Sequence, residues 1–361
     1  MNMGKRTVIP FGPQHPVLPE PIHLDLVMED EKVVEAIPSI GFIHRGLEKL
    51  VEKKDFTEYV YVAERICGIC SFIHGMGYSQ AVENVMNIVI PRRAEYMRVI
   101  WGELSRIHSH LLWLGLLADA FGFESLFMHS WRLREQILDI FEETTGGRII
   151  FSVCKVGGIR RDVTSETLRK IVDILIGLET EVKKLEKVFL KDNSVRNRLV
   201  GVGILTKDEA HHLGAVGPMA RASGVAQDIR KLGYAAYNEL EFEPIIHTDG
   251  DSYSRTVVRI HEIYQSIDII KQAVSIIPSG DIDVKVKGFP EGEYFARLEQ
   301  PRGEVIYYVK GNGTKFLDRM RVRTPTFANI PAMLKTLQGC DFADVPILIL
   351  TIDPCISCTE R

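Results

Sequence analysis

Long apolar runs, an excess of positive charge and a nucleotide-binding glycine motif are all missing from this sequence of 361 residues. The longest apolar runs, residues 111–118 and 345–352, fall well short of the roughly 20 residues that cross a bilayer. A formal net charge of -4 argues against a nucleic-acid partner, because phosphate contacts require clustered lysine and arginine. No G-x-G-x-x-G motif follows a strand pattern, so we expect a soluble or peripheral protein without its own flavin or nicotinamide.

Cysteine is also scarce, and most of it stands in two pairs. Four of the six cysteines form C-x-x-C motifs, Cys67 and Cys70 in ERICGIC and Cys355 and Cys358 in DPCISCTER. Such pairs suit metal binding in a reducing compartment better than a disulfide framework. The spacing alone leaves a closed structural zinc site open, but zinc ribbons keep their two pairs within about 20 residues. Because nearly the whole chain separates these pairs, a site built from both ends resembles an active centre more than a structural clamp.

The residue pattern predicts a multidomain α+β fold with a mostly helical core bundle. Small antiparallel β elements are predicted near the N-terminus, as a hairpin at residues 22–37, and in the C-terminal third. There the runs DIDVKVKG, GEYFARLEQ and GEVIYYVKG, between residues 281 and 310, indicate a meander. Further helical pattern covers residues 206–277. The clearest helices carry apolar residues at spacings of three and four, over residues 92–120, 125–144 and 165–190.

These patterns predict four successive units along the chain. The first has a proline-rich loop before its hairpin, and the last ends with a helix near residues 331–337, a buried strand PILILTI and the second cysteine pair. The units are an N-terminal loop and hairpin (1–41), a helical core with the first cysteine pair (42–280), a small meander with a PRG turn (281–325) and the C-terminal unit (326–361).

The two cysteine motifs together resemble the paired signatures of the catalytic large subunit of nickel-iron hydrogenases, most specifically the membrane-bound, energy-converting group. Four other segments agree with that group in order along the chain. Related segments also occur in the quinone-site subunit of respiratory complex I, which shares the ancestry but lacks the four cysteines. That subunit, with vestigial cysteines, and a noncatalytic scaffold with a structural zinc are the alternatives. The agreeing segments are GPQHP (12–16), HRGLEKL (44–50), RIHSHLLWLG (106–115) and QPRGE (300–304).

The resemblance implies a metal centre that interconverts hydrogen with two protons and two electrons. It implies that Cys67, Cys70, Cys355 and Cys358 bind nickel. Cys70 and Cys358 would also bridge to an iron that carries one carbon monoxide and two cyanides. Soft thiolates suit both metals.

The resemblance also assigns roles to residues around the metals. Arg302, in the PRG turn, matches an arginine that overhangs the metals and either polarises hydrogen or acts as a base. Asp353 would orient that arginine, the alternative being a plain turn residue before a proline. His74, four residues after Cys70, would donate a ring N–H to a bridging sulfur. Glu20 matches a glutamate that passes protons between a nickel thiolate and the interior.

Two positions depart from the family pattern. Glu48 matches a glutamate that helps to hold magnesium, but the histidine that completes that site in relatives is replaced by Arg361, and a cation cannot ligate a cation. An ion pair between Glu48 and Arg361 is therefore the alternative to a magnesium site. Ser109 stands where many relatives carry aspartate. His108 and His110 flank it and point in different directions on a helix, so we do not interpret them as a ligand pair.

The remaining cysteines, Cys154 and Cys340, are too few to hold an iron-sulfur cluster. By resemblance, electrons leave through a four-iron four-sulfur cluster in a hydrogenase small subunit and reach a ferredoxin-type subunit. Integral membrane subunits would couple the reaction to ion translocation, with this chain peripheral on the cytoplasmic side of the membrane. A maturation protease and nickel-insertion proteins complete the expected partners, and no nucleic acid is expected.

Overall fold

The structure is a computed structural model that describes residues 6–361, so the first five residues of the predicted N-terminal unit lie outside it. Its strands are β1 (Arg6–Phe11), β2 (His23–Glu29), β3 (Lys32–Ser39), β4 (Cys154–Lys155), β5 (Gly158–Ile159), β6 (Glu291–Gln300), β7 (Gly303–Asn312) and β8 (Leu317–Arg323). Its longer helices are α3 (Ser71–Val85), α4 (Arg92–Ala120), α5 (Glu124–Thr145), α6 (Ser165–Lys191), α10 (Ser252–Ile276) and α11 (Pro325–Leu337). The shorter ones are α1 (Leu47–Leu50), α2 (Tyr59–Glu64), α7 (Asn193–Leu199), α8 (Lys207–His212), α9 (Pro218–Arg221), α12 (Val345–Thr351) and α13 (Ile356–Glu360).

The helical core follows from its apolar periodicity. The predicted helix at residues 92–120 coincides with α4, and those at 125–144 and 165–190 lie within α5 and α6. Along α6 the buried residues recur every three or four positions, from Leu168 to Phe189, and Thr164 caps its first turn. Helix α4 packs between α5 and α10 and is buried on nearly all sides. The predicted fold class, a mostly helical core with small antiparallel sheets, is confirmed.

The N-terminal sheet has the order β1-β2-β3, with both pairs antiparallel. The predicted hairpin at residues 22–37 is confirmed as β2 and β3. Alternation along β2 buries Leu24, Leu26 and Met28 on one face. These residues form a small core with α11 and α12, so the two ends of the chain pack together.

The C-terminal sheet corrects part of the predicted meander. Its order is β6-β7-β8, and the run DIDVKVKG at residues 281–288 is not a strand of it. That run alternates because Ile282 and Val286 pack against the core. Its backbone pairs with Gly158 through an isolated bridge at Asp283 and forms no continuous strand. The third strand of this sheet is β8. It was not predicted, because charged residues alternate with its apolar ones.

One further prediction near the C-terminus was wrong, and another placed the start of a helix too late. The run PILILTI is not a buried strand: it forms most of helix α12, because a short apolar run fits a buried helix as well as a buried strand, and Pro346 fits a first helical turn. The helix predicted near residues 331–337 begins earlier, at Pro325, and contains Pro331. The division into four units stays a prediction. Among residues 6–361, no helix is both long and apolar enough to cross a membrane.

Candidate metal centre

The two cysteine pairs meet in the interior. Cys67 and Cys70 lie between α2 and α3, and Cys355 and Cys358 lie between α12 and the end of α13. The Cys67 and Cys355 sulfurs are 3.2 Å apart, and the Cys70 and Cys358 sulfurs are 3.3 Å apart. All four side chains are buried. The structure therefore joins two half-sites from opposite ends of the chain.

The donor set fits a soft or borderline metal. The Cys67, Cys355 and Cys358 sulfurs lie within 4.8 Å of one another, as do the Cys70 and Cys358 sulfurs and a His74 ring nitrogen. Burial raises the pKa of the Cys70 thiol, but hydrogen bonds from the other three cysteines outweigh this and hold that pKa well below its ordinary value. A buried thiolate without a cation is costly, whereas thiolates are the ligands that nickel, iron and zinc accept. The residues present therefore fit the implied metal centre.

One arginine ties both cysteine loops together. Arg45 donates to the carbonyl oxygens of Arg65 at 2.9 Å and Ile66 at 2.8 Å, just before the first pair, and to that of Ser357 at 3.2 Å, inside the second. Its planar fork of donors can serve several carbonyls at once. Sequence reasoning missed this residue, although it lies in the HRGLEKL segment.

Threonines from the start of α11 hold the second pair. The backbone N–H of Cys355 donates to the Thr326 hydroxyl at 3.1 Å, and the Thr324 hydroxyl donates to the Cys358 carbonyl at 3.1 Å. Both bonds are buried. They fix the sulfurs through the backbone, and no short motif revealed them.

Arg302 and Asp353 form a buried ion pair beside the cysteines. Arg302 Nη2 donates to Asp353 Oδ1 at 2.7 Å, Nε donates to the Asp353 carbonyl at 2.8 Å, and Nη1 donates to Ser109 Oγ at 3.2 Å. The serine thus gives Arg302 an oxygen partner at the position where many relatives are expected to carry aspartate. Burial raises the pKa of Asp353, although Arg302 opposes this. Asp353 has φ 57°, a left-handed conformation that is uncommon outside glycine and is frequent at functional sites.

The turn that carries Arg302 needs two glycines. It is the two-residue connection between β6 and β7, closed by Gln300 opposite Gly303. A Cβ on Gly217 would lie 2.4 Å from the Arg302 carbonyl oxygen and equally close to Gly303 Cα. Only glycine at position 217 therefore lets this turn pack against the start of α9.

His74 reaches the second cysteine pair. Its Nε2 lies 3.2 Å from the Cys358 sulfur, and its Nδ1 lies 2.5 Å from the Tyr307 hydroxyl. Gln300 Nε2 is 3.2 Å from the same His74 Nε2. The ring thus lies against the sulfur of Cys358, one of the two cysteines that the resemblance expects to bridge the metals. Tyr307 and Gln300 were missed, because they belong to a sheet whose packing against α3 the sequence does not reveal.

Glu20 lies against the backbone between the second pair of cysteines. Its carboxylate accepts from the N–H groups of Ile356 and Ser357 and, at 2.9 Å, from the Ser357 hydroxyl. The proline-rich loop thus covers the cysteine loop.

The surroundings of Glu48 do not fit magnesium. Arg361 Nε donates to one carboxylate oxygen at 2.8 Å, Arg321 Nη1 donates to the other at 3.0 Å, and the Val322 N–H adds a third bond. Burial raises the pKa of Glu48, but these bonds outweigh it and lower that pKa. Two guanidiniums already supply the positive charge, so the magnesium interpretation gives way to the predicted ion pair with Arg361.

The two histidines beside Ser109 serve different partners. His108 Nδ1 accepts from Arg134 Nε at 3.1 Å, while His110 Nε2 lies 2.8 Å from Glu262. Burial lowers the pKa of His110 to about 4, so this ring is neutral. The two rings do not converge, which agrees with the expectation that they are not a ligand pair.

A small, mainly apolar cavity of about 170 Å³ opens beside Arg302, Asp353 and Glu20. Its walls include Trp113 and Leu350, and the Trp113 indole N–H donates to the Leu350 carbonyl at 2.7 Å. An apolar space of this size suits a small, weakly polar molecule.

Comparisons with known proteins agree with this site. The profile of the family described as Respiratory-chain NADH dehydrogenase, 49 Kd subunit, matches residues 120–289 and 284–361. The profile described as Nickel-dependent hydrogenase matches residues 45–119. The membrane-bound hydrogenase subunit alpha of Pyrococcus furiosus is 38% identical over 98% of this chain and 87% of its own length. The carbon monoxide-induced hydrogenase of Rhodospirillum rubrum is 37% identical over 98% and 99%.

Complex I subunits match almost as well. One NADH-quinone oxidoreductase subunit of Chloroherpeton thalassium is 35% identical over 96% of this chain and 86% of its own length. A chain from the solved structure of the membrane-bound sulfane sulfur reductase, an archaeal respiratory membrane complex, superposes with a TM-score of 0.94 at 31% identity, covering 99% and 98%. Fold, site and relatives together define an oxidoreductase subunit. The chain belongs to the family of complex I-related, membrane-bound hydrogenase large subunits, as the sequence motifs predicted.

Proposed function

We propose that this chain is the catalytic large subunit of a nickel-iron hydrogenase, which interconverts hydrogen with two protons and two electrons. The observation that carries the proposal is the meeting of four buried cysteine sulfurs from opposite ends of the chain. A chain that needed only a rigid interior would gain nothing from four adjacent thiols, because all four are free and no disulfide links them. The hydrogenase-named relatives support the same activity.

The four cysteines would hold the metals. Cys67, Cys70, Cys355 and Cys358 would bind nickel, and the adjacent Cys70 and Cys358 would also bind the iron. When bound, the nickel-iron centre, with its carbon monoxide and two cyanides, supplies the redox-active Lewis acid at which hydrogen is cleaved.

Arg302 supplies fixed positive charge beside the thiolates. Although its burial opposes charge, Asp353 and the cysteines raise the pKa of Arg302 further, so the guanidinium stays protonated. Three hydrogen bonds hold it in one orientation. A preoriented charge of this kind stabilises negative charge that develops nearby without reorganisation. The adjacent apolar cavity gives a small molecule a place to approach the site.

Glu20 is the proposed proton carrier. One of its oxygens accepts from the Ser357 hydroxyl, a group that can reverse its role from donor to acceptor by rotating. The carboxyl can therefore exchange a proton without losing all of its hydrogen bonds. Replacing Glu20 by Gln keeps the shape but removes the proton-carrying oxygen. We expect hydrogen–deuterium exchange activity to fall about 100-fold with nickel and iron retained; unchanged turnover would remove Glu20 from the relay.

The electrons require a partner. Only two cysteines, Cys154 and Cys340, stand outside the centre, too few for the four thiolates that hold a four-iron four-sulfur cluster. We propose a small subunit with a four-iron four-sulfur cluster as the acceptor and a ferredoxin-type subunit beyond it. Membrane subunits would translocate ions, with this chain on the cytoplasmic face. A maturation protease and nickel-insertion proteins would assemble the centre.

A second candidate is a quinone-site subunit of a complex I type enzyme. The observation in its favour is that the 49 Kd subunit profile covers residues 120–289 and 284–361. Metal analysis of the purified complex separates the candidates. One nickel and one iron per chain, with infrared bands of carbon monoxide and cyanide, support the hydrogenase. Zinc alone supports a structural scaffold, and a chain without metal supports the quinone-site subunit.

The variant Cys358→Ala tests the ligand set. We expect it to lose both iron and hydrogen uptake, because the removed sulfur is adjacent to that of Cys70. The matched control is Cys340→Ala, which removes a thiol outside the centre and should retain both metals. Hydrogen uptake by Cys358→Ala would overturn the scheme.

A further inference from the structure

Tyr307 is placed to control His74. The phenol lies on β7, is fully buried and bonds to His74 Nδ1 at 2.5 Å, while the opposite ring nitrogen faces the Cys358 sulfur at 3.2 Å. The two rings meet edge to face, with centroids 5.9 Å apart. Tyr307, His74 and Cys358 thus form a hydrogen-bonded chain.

The chemistry of these groups fixes the direction of each bond. A neutral imidazole has one donor and one acceptor nitrogen. A cysteine that binds metal does so as a thiolate, which only accepts. His74 Nε2 must therefore donate to Cys358, and Nδ1 must accept. The Tyr307 hydroxyl is then the donor to Nδ1.

Gln300 fits the same arrangement. Its amide nitrogen lies 3.2 Å from His74 Nε2, yet two donors cannot share a bond, and within residues 6–361 its buried Oε1 has no partner. Turning the amide by 180° brings Oε1 to the His74 proton and removes the contact between two donors. His74 Nε2–H then has two acceptors, the Cys358 sulfur and the Gln300 oxygen.

The backbone is shaped to admit the phenol. Gly77 lies one turn after His74 on α3, and a Cβ there would be 2.8 Å from Tyr307 Cδ2 and 3.0 Å from Cε2. A side chain at position 77 would push the ring, and with it the hydroxyl, away from His74. Glycine costs helix stability, so its presence in this turn is explained by the close approach of the ring.

We propose that Tyr307 is a positioning residue, which sets the tautomer of His74 so that Nε2–H is held on the Cys358 sulfur. The inference rests on the proposed function in so far as Cys358 binds metal. A hydrogen bond to a thiolate withdraws electron density from the sulfur and favours its charged form. Without the phenol, the ring is free to adopt the other tautomer, which presents a lone pair to the sulfur.

The test uses Co²⁺ added to the metal-free full-length chain, read by the thiolate-to-cobalt charge-transfer band. We expect Tyr307→Phe to move this band to lower energy and to weaken cobalt binding by about 10-fold, the low end for loss of a group that orients a ligand. Tyr78→Phe is the matched control. It also removes a buried phenol, one carried by α3 itself, but its hydroxyl donates to the Phe56 carbonyl, at 2.9 Å, rather than to His74. It should leave band and affinity unchanged.

A double variant separates positioning from general loosening. In a His74→Gln background, Tyr307→Phe should cause no further shift, because the phenol acts only through the imidazole. An unmoved band in Tyr307→Phe, a shift that persists in the His74→Gln background, or a wild-type chain without a cobalt-thiolate band would each overturn the inference. The proposed function is judged separately, by native nickel and iron content.

Discussion

Two buried polar regions of this protein differ in how completely their groups are paired. The first is the cysteine centre. The second, the core ion cluster, joins α4, α9, α10 and β6, and both regions are almost fully excluded from solvent. The cluster consists of four carboxyl groups, those of Glu103, Asp228, Glu262 and Glu299, and three guanidinium groups, those of Arg106, Arg221 and Arg230.

In the ion cluster the carboxylates are well supplied with donors. Glu103, for example, accepts from Arg230, from the Tyr237 hydroxyl at 2.5 Å and from the Ser266 hydroxyl at 2.6 Å. In the cysteine centre, by contrast, the sulfurs mostly meet one another. Within residues 6–361, Asp353 Oδ2 also has no hydrogen-bond partner. A buried network in which each carboxylate meets a guanidinium specifies the fold, whereas a buried site with unused ligand atoms is arranged for something that binds.

The largest effect is expected from breaking the ion cluster. Arg230→Met leaves the Glu103 and Asp228 carboxylates without their main cation, so the free energy of unfolding should fall by about 3–5 kcal/mol. The measurement is denaturant unfolding of the chain. The control is Arg148→Met, whose arginine also meets three carboxylates but on the exposed surface, where pairing contributes little. Equal losses in the two variants would contradict the comparison.

An intermediate effect is expected in the pH dependence of stability. The core ion cluster sets four carboxyl groups against three guanidiniums. Burial raises the pKa of Glu299 to about 7, although Arg221 opposes this. The negative charge of Asp228 also raises the pKa of Glu299, and the positive charge of Arg106 lowers it. The Tyr234 hydroxyl accepts from the backbone N–H of Glu299.

Between about pH 4.5 and pH 7 the folded chain therefore holds a proton on Glu299 that the unfolded chain releases. Stability from this group is present below that window and is lost as the pH rises through it, by at most about 1.4 kcal/mol per pH unit. Glu299→Gln should flatten this slope. Glu291→Gln, at the exposed start of the same strand, should not. A slope retained in Glu299→Gln would assign the proton elsewhere.

The smallest effect is expected at Glu48, near the C-terminal end of the cysteine centre. Glu48→Gln weakens a half-buried contact to Arg361 and an exposed one to Arg321, so unfolding free energy should fall by only about 1 kcal/mol. Thermal unfolding of the wild-type chain should be the same with magnesium and with a chelator. A rise in the wild-type melting temperature with magnesium that Glu48→Gln abolishes would restore the magnesium site.

Sequence reasoning succeeded where the residues of a single helix or strand show a clear apolar period. Helix α4 was predicted at its observed bounds because its apolar residues follow the helical period. Sequence reasoning failed at α12, because nearly every residue of PILILTI is buried. A run that is apolar on all sides shows neither the helical nor the strand period. The cysteines, His74, Arg302 and Asp353 were found through short motifs. Arg45 and Tyr307 were missed, because each acts through residues far away along the chain.

The sequence by itself determined the two cysteine motifs, the helical core and the family, since each depends on local spacing or on short motifs. Tertiary structure alone decided that the two cysteine pairs meet and that Ser109 bonds to Arg302. It also decided that the guanidinium groups of Arg361 and Arg321, rather than a metal ion, contact the Glu48 carboxylate. These contacts join elements that packing brings together across most of the chain. Their distances depend on the whole core, and no local pattern of residues records them.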